Sequence, residues 1–254
     1  MRVTGGSNAA EVAQRISQFG RQAVFAAAVS LTRGVGDAKA AVIDEMRRAF
    51  VGPTAYALNG LVVKSATKQK LEARLWVKDN PFGKGTPADR FLLPEIYGGE
   101  RGQKGMERIL QRGGLMPAGW FAVPAAGAQL DGNGNVKRSQ ITQILSQLRV
   151  QSGSGYESRR SNSAASRRTV ARQGVTYFAL PKAKGKLKPG IYLKRKFGHG
   201  SAIRPVFIFV SKVQYRSRLK FHEVGEHVSQ ARFKYHWDIE IGKLVDAARL
   251  RGRR

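Results

Sequence analysis

The stretch LVVKSATKQKLEARLWV, residues 61–77, decides the fold. Leu61, Val62 and Val63 read as one strand. Leu71, Ala73, Leu75 and Val77 alternate with polar or amphipathic neighbours and read as a second, with a turn over 66–69 between them. Asp79, Asn80 and Pro81 close the second strand. Strands therefore arrive in hairpin-like runs and not as repeated strand–helix–strand units. With helices on either side, the class is α+β.

Working outward, residues 10–50 are helical in pattern. Val12, Ile16, Phe19, Ala23 and Ala27 recur at three- and four-residue spacing and form one apolar stripe. Gly34 and Gly36 interrupt it, and Asp37 offers an N-cap for a second helix carrying Val42, Met46 and Phe50. Gly52 and Pro53 end that helix, because proline disfavours helical geometry in the residue before it. Downstream, residues 82–105 are rich in glycine and proline and read as an irregular, partly buried insertion. A short helix follows over 106–112 and stops at Gly113 and Gly114. Trp120 to Val123 form a short strand ended by Pro124, and 140–148 a further helix.

Serine, glycine and arginine dominate residues 151–172, where little apolar surface offsets the entropy of ordering; a flexible loop is expected there. Strands resume at Val175–Leu180, 190–194 and 205–210. A long helix over 222–249 bears Val224, Val228, Ala231, Tyr235, Leu244, Val245 and Ala248. The expected arrangement is one α+β domain over residues 1–254. In it an N-terminal helical pair and a long C-terminal helix pack on a mainly antiparallel sheet.

Composition narrows the function. The chain has 45 Lys and Arg against 17 Asp and Glu, a net charge of +28 over 254 residues. Such a surplus makes the folded state repel itself and draws in polyanions, which suits a protein beside nucleic acid better than an enzyme for small molecules. Hydrophobic residues make up 42%, enough for a packed core. There is no cysteine, which removes disulfides, zinc ribbons and thiol catalysis together. The first ten residues do not read as a signal peptide, and the longest apolar run, 23–31, is about half a membrane span. A soluble protein made in the cytoplasm is expected.

Three motifs approach known chemistry and miss. His222 and His227 lie five apart, about 140° around a helix, whereas a zinc-protease pair sits four apart on one face. Residues 131–135 begin like a calcium loop, but Val136 stands where glycine is needed and Thr142 where glutamate is needed; a tight glycine turn is the better reading. Residues 98–105 lack phosphate-loop spacing. Glu95, Glu100 and Glu107 read as partners for neighbouring arginines, so no catalytic, cofactor or metal residues are assigned.

Basic residues cluster at 64–70, 101–112, the arginine–serine loop, 182–196 and the C-terminus. Aromatics interleave at Tyr192 and Phe197 and at Tyr215. This suits either base stacking on single strands or a sheet with apolar residues inward and basic residues outward; the second reading is preferred. No helix-turn-helix, zinc finger or RNP signature is present, so sequence-specific recognition is not expected.

Taken in order, several segments resemble one family: Phe50 to Thr54, Leu58 and Asn59, Leu71 to Leu75, Leu93 to Gly99, the helix before Gly114, Leu130 to Asn135, Gln143 to Ser146, and Lys188 to Tyr192. The family is that of tailed-bacteriophage virion proteins of the head–tail junction, or neck, similar in role to the lambda-like minor tail (tail completion) protein Z. The resemblance spans most of the chain, and its motifs are turns and packing residues. It implies a structural, non-enzymatic part without cofactors. Copies would assemble as a ring through heterologous contacts, beside portal, neck or tail proteins and packaged DNA, with no membrane partner. Gly98, Gly99, Glu100 and Arg101 are the candidate subunit interface. Arg159, Arg160, Arg167, Arg168, Arg251, Arg253 and Arg254 are the candidate DNA-facing residues. The alternative is a free, sequence-independent nucleic-acid-binding protein.

Overall fold

A computed structural model describes residues 20–80, 86–148, 150 and 174–251. The class is α+β. The chain forms two compact units where one domain was expected: Glu100–Gln214 make up the second, and the residues on either side make up the first. The physical reason is that the apolar residues collect around separate cores, each closed within its own unit.

The first unit is built on two long helices, α1 (Arg21–Ala49) and α6 (Phe221–Arg251). The expected break at Gly34 and Gly36 does not occur: the described part of the helical pair is one 29-residue helix, and Val12, Ile16 and Phe19 lie outside the described residues. Glycine costs a helix only about 1 kcal/mol, and packing offsets that. Gly34 lies where α1 meets α6: a Cβ there would come 3.1 Å from the Phe233 amide nitrogen and 3.2 Å from the Ser229 carbonyl oxygen. Asp37 caps nothing; its carboxylate reaches His236 Nε2 at 2.9 Å and Arg232 Nε at 3.4 Å on α6. Arg33 and Glu240 add a further pair at 2.7 Å.

The buried side of α6 includes the expected Val224, Val228 and Leu244 but differs from expectation between Val228 and Leu244. Phe233, Trp237, Ile241 and Leu244 pack with Ala26 and Ala27, whereas Ala231 is exposed and Tyr235 is 53% exposed. Helix α2 (Ala55–Leu58) is capped by Thr54, whose hydroxyl accepts from the Ala57 N–H at 3.2 Å.

The hairpin that set the class is present. Strands β1 (Leu61–Lys64) and β2 (Arg74–Val77) pair antiparallel, Leu61 opposite Val77 and Lys64 opposite Arg74. Leu61, Ala73 and Leu75 point into a core shared with Val42 and Met46. The connection is wider than expected: Leu71 is 40% exposed, and Thr67 and Lys70 exchange backbone hydrogen bonds in the loop.

The expected irregular insertion at 82–105 holds helix α3 (Asp89–Tyr97), which buries Leu92, Glu95 and Ile96. Pro94 sits inside this helix and removes one backbone donor, which is why its pattern reads as a break. Short strands β3 (Gly99–Glu100) and β8 (Gln214–Tyr215) pair where the chain passes between units.

The second unit holds helix α4 (Gly105–Arg112), strand β4 (Phe121–Pro124), helix α5 (Arg138–Gln147) and strands β5 (Val175–Leu180), β6 (Gly190–Phe197) and β7 (Gly200–Val210). The four strands form one antiparallel sheet in the order β4-β7-β6-β5. Leu110, Met116, Ile144, Leu145, Tyr177, Ile191, Val206 and Phe207 fill its core. Strands β6 and β7 run longer than their sequence pattern suggests, meeting in a hairpin in which Phe197 faces Gly200. The arginine–serine loop lies outside the described residues.

Candidate functional site

Each unit contains a carboxylate clamped by an arginine that also lies on a phenylalanine ring. In the second unit Glu107, on α4, is fully buried. Its carboxylate accepts from both terminal nitrogens of Arg101, from the Lys104 N–H at 2.6 Å and from the Ala122 N–H at 2.9 Å. The Arg101 guanidinium carbon stands 4.9 Å from the Phe121 ring centroid. Burial alone would raise the Glu107 carboxyl. The Arg101 guanidinium and the two backbone N–H groups outweigh it and hold the group below the usual carboxylate range.

In the first unit Glu95, on α3, accepts from Arg218 Nε and, at 3.0 Å, from its Nη2. The Arg218 guanidinium carbon lies 5.0 Å from the Phe50 ring centroid. The Glu95 carbonyl accepts the N–H groups of Arg218 and Leu219, both at 2.9 Å. Bidentate pairs of this kind fix geometry and chain path. Both carboxylates face cations, with their acceptor sites occupied, which is a holding arrangement.

The candidate interface residues fall in different settings. Gly98 ends α3 with φ of 75°, a conformation that favours glycine, and its Cβ position faces the Tyr215 carbonyl oxygen at 3.2 Å. Gly99 and Glu100 are exposed, and Lys212 lies 3.9 Å from the Glu100 carboxylate. Arg101, by contrast, is 9% exposed at its side chain and committed to Glu107. Its guanidinium therefore belongs to the interior of the second unit and not to an outward-facing patch.

Of the candidate DNA-facing residues, Arg159, Arg160, Arg167, Arg168, Arg253 and Arg254 lie outside the described residues. Arg251 closes α6. His222 lies in the first turn of α6, and its Nε2 lies 2.7 Å from the Tyr97 hydroxyl, while His227 is exposed. Residues 131–135 form the expected tight turn, with the Asp131 carboxylate accepting from the N–H groups of Asn133 and Asn135 at 2.9 Å each.

One charge signal was available in the sequence and is decisive for the surface: no Asp or Glu occurs between Glu157 and Glu223. Within that interval Lys182, Lys184, Lys186, Lys188, Arg195, Lys196, Arg204 and Lys212 are all exposed. Several of the acids elsewhere are tied up: Asp37, Glu72, Glu95, Glu107 and Glu240 hold cations of their own unit. Among the described residues no helix is long and apolar enough to cross a membrane.

Set against known proteins, the chain matches no family model, no curated protein and no solved structure.

Proposed function

We propose that this protein is a structural, non-catalytic part of a tailed-bacteriophage virion, assembling as a ring at the head–tail junction around the path of the DNA. The observation that carries the reading is the charge distribution. Several acids, Glu95 and Glu107 among them, are held in ion pairs within their own unit, and the acid-free interval between Glu157 and Glu223 leaves exposed cations outward. A surface of this kind favours a polyanion held by general electrostatics, with no need of sequence readout. The order of turn and packing motifs supports the virion context.

A free nucleic-acid-binding protein would use the same charge, so location separates the two. Antibody against the protein, applied to purified particles and viewed by electron microscopy, is expected to label the head–tail junction. Absence from particles, with the protein found on intracellular DNA, refutes the virion reading and leaves direct nucleic-acid binding.

A further inference from the structure

The sheet of the second unit extends past its own core. On β6, Gly190, Ile191 and Tyr192 are buried, while Arg195, Lys196 and Phe197 are exposed. On β7, Val206, Phe207 and Phe209 are buried, while Gly200, Ser201, Ile203 and Arg204 are exposed. Successive side chains of a strand point to opposite faces, and residues paired across strands share a face.

Arg195 and Phe197 therefore continue the face of Ile191 and Leu193, joined by Arg204, which pairs with Leu193. Lys194 and Lys196 lie on the other face. The expected pattern of apolar inward and basic outward stops at Leu193; beyond it both faces are cationic. Among the described residues, Lys194, Arg195, Lys196 and Arg204 have no carboxylate partner, and Arg195 instead sits 5.8 Å from the Phe197 ring centroid. Phe197 is 56% exposed, and Cβ positions at Gly198 and Gly200 look onto open space.

We infer that this hairpin end, residues 194–204, is a contact surface for duplex DNA, an assignment that rests on the DNA-adjacent reading above. Strand β5 runs beside β6 as far as Arg195, which pairs with Val175. The bare strand pair narrow enough to enter the major groove is therefore the tip, residues 196–201, and the cations on both faces at and behind it match the two phosphate walls that flank the groove. Lys194 and Lys196 meet one wall, Arg195 and Arg204 the other, with Phe197 at the tip facing the base edges. Duplex is favoured over single strands because Phe197 is the one exposed phenyl or phenol ring on β5, β6 and β7, too few for a row of stacked bases. Phe178 and Tyr192 stack on each other with centroids 5.6 Å apart, and Tyr192 is 3% exposed with its hydroxyl donating to the Lys188 carbonyl at 2.8 Å.

The test uses the full chain and a fluorescent mixed-sequence duplex of about 25 base pairs, with anisotropy titrations from about 50 to 300 mM NaCl. Each phosphate contact contributes about 0.9 to the slope of log affinity against log salt. The triple variant Lys194→Ala/Arg195→Ala/Lys196→Ala should flatten that slope by about 2 to 3 and weaken binding at least tenfold at the lowest salt. A control removing equal charge from the β5–β6 connection, Lys182→Ala/Lys184→Ala/Lys186→Ala, should change the slope by less than about 1. Both triples should melt at the wild-type temperature, since the substituted side chains are outside the core. Phe197→Ala should weaken binding at an unchanged slope.

Equal losses in the two triples overturn the hairpin assignment while leaving the virion reading to particle labelling. Tighter binding of the corresponding single strand overturns the duplex assignment. If wild-type protein labels particles yet shows no salt-dependent duplex affinity, the hairpin inference fails and the virion reading stands.

Discussion

Glu107→Gln removes one charge from the second unit and leaves the side-chain volume almost unchanged. The carboxylate now accepts two bonds from Arg101 and one each from the Lys104 and Ala122 N–H groups. Glutamine offers one acceptor oxygen, and its amide donors would point at groups that are donors themselves. Breaking a buried ion pair by removing one partner costs about 3–5 kcal/mol, a large part of the roughly 5–15 kcal/mol that keeps a domain folded. Taking a urea slope of about 2 kcal/mol per molar, the transition of the second unit should move down by about 2 M.

Trp120 lies in this unit, whereas Trp76 and Trp237 lie in the first, so a Trp76→Phe/Trp237→Phe background isolates the reporter. Because Arg101 holds the Glu107 carboxyl low despite burial, the stability this group supplies is present above the ordinary carboxylate range. It is lost as pH falls through the depressed folded value. Wild type and Glu107→Gln should therefore converge in acid. The double change Arg101→Met/Glu107→Leu should recover part of the loss, short of all of it because two backbone N–H groups remain unanswered. A Glu107→Gln cost below about 1 kcal/mol near neutral pH would refute the reasoning, since a pair worth so little cannot organise the unit.

Gly34→Ala should destabilise the first unit by about 1 kcal/mol or more in thermal or urea melts, because the new methyl meets backbone of α6; Gly36→Ala, with open space around it, should stabilise by up to about 1 kcal/mol. Glu72 is held at about 2 by hydrogen bonds from Arg74 and Lys70, so its stabilising contribution is complete above the ordinary carboxylate value and fades as pH falls toward 2. NMR titration should find that low midpoint, and Arg74→Gln should move it upward; an ordinary midpoint in the wild type would count against the pair. Arg218→Met should cost less than the matching loss of Arg101, because the Arg218 side chain is 49% exposed against 9%, and water can replace part of what Glu95 loses. Paired urea melts of the two variants compare them directly.

The hairpin was legible in the sequence because its alternation over Leu61 to Val77 is a local property, and so was the helix ending at Arg112. What escaped depended on partners remote in the chain. Gly34 reads as a break until α6 is set against it. Asp37 reads as a cap until His236 and Arg232 face it. Helix α3 was hidden by Pro94, whose lost backbone bond coexists with burial of Leu92 and Ile96 and the Glu95–Arg218 clamp. For the candidate site, the pairing of Glu95 and Glu107 with arginines was readable from the scarcity of acids. The reach of β6 past its core was not, because alternation alone does not say where a core stops.

The junction between the first unit's two stretches has a consequence for synthesis. Helix α1 leaves the ribosome long before α6, its partner, and the whole of residues 100–214 is made in between. At about 5–20 residues per second the gap is roughly ten to thirty seconds. During that interval Ala26 and Ala27 have no Trp237 to cover them, and by its end the second unit has every residue it needs. The inserted unit should thus mature first on the growing chain, and the enclosing one should depend on whatever shelters a lone helix until its mate emerges.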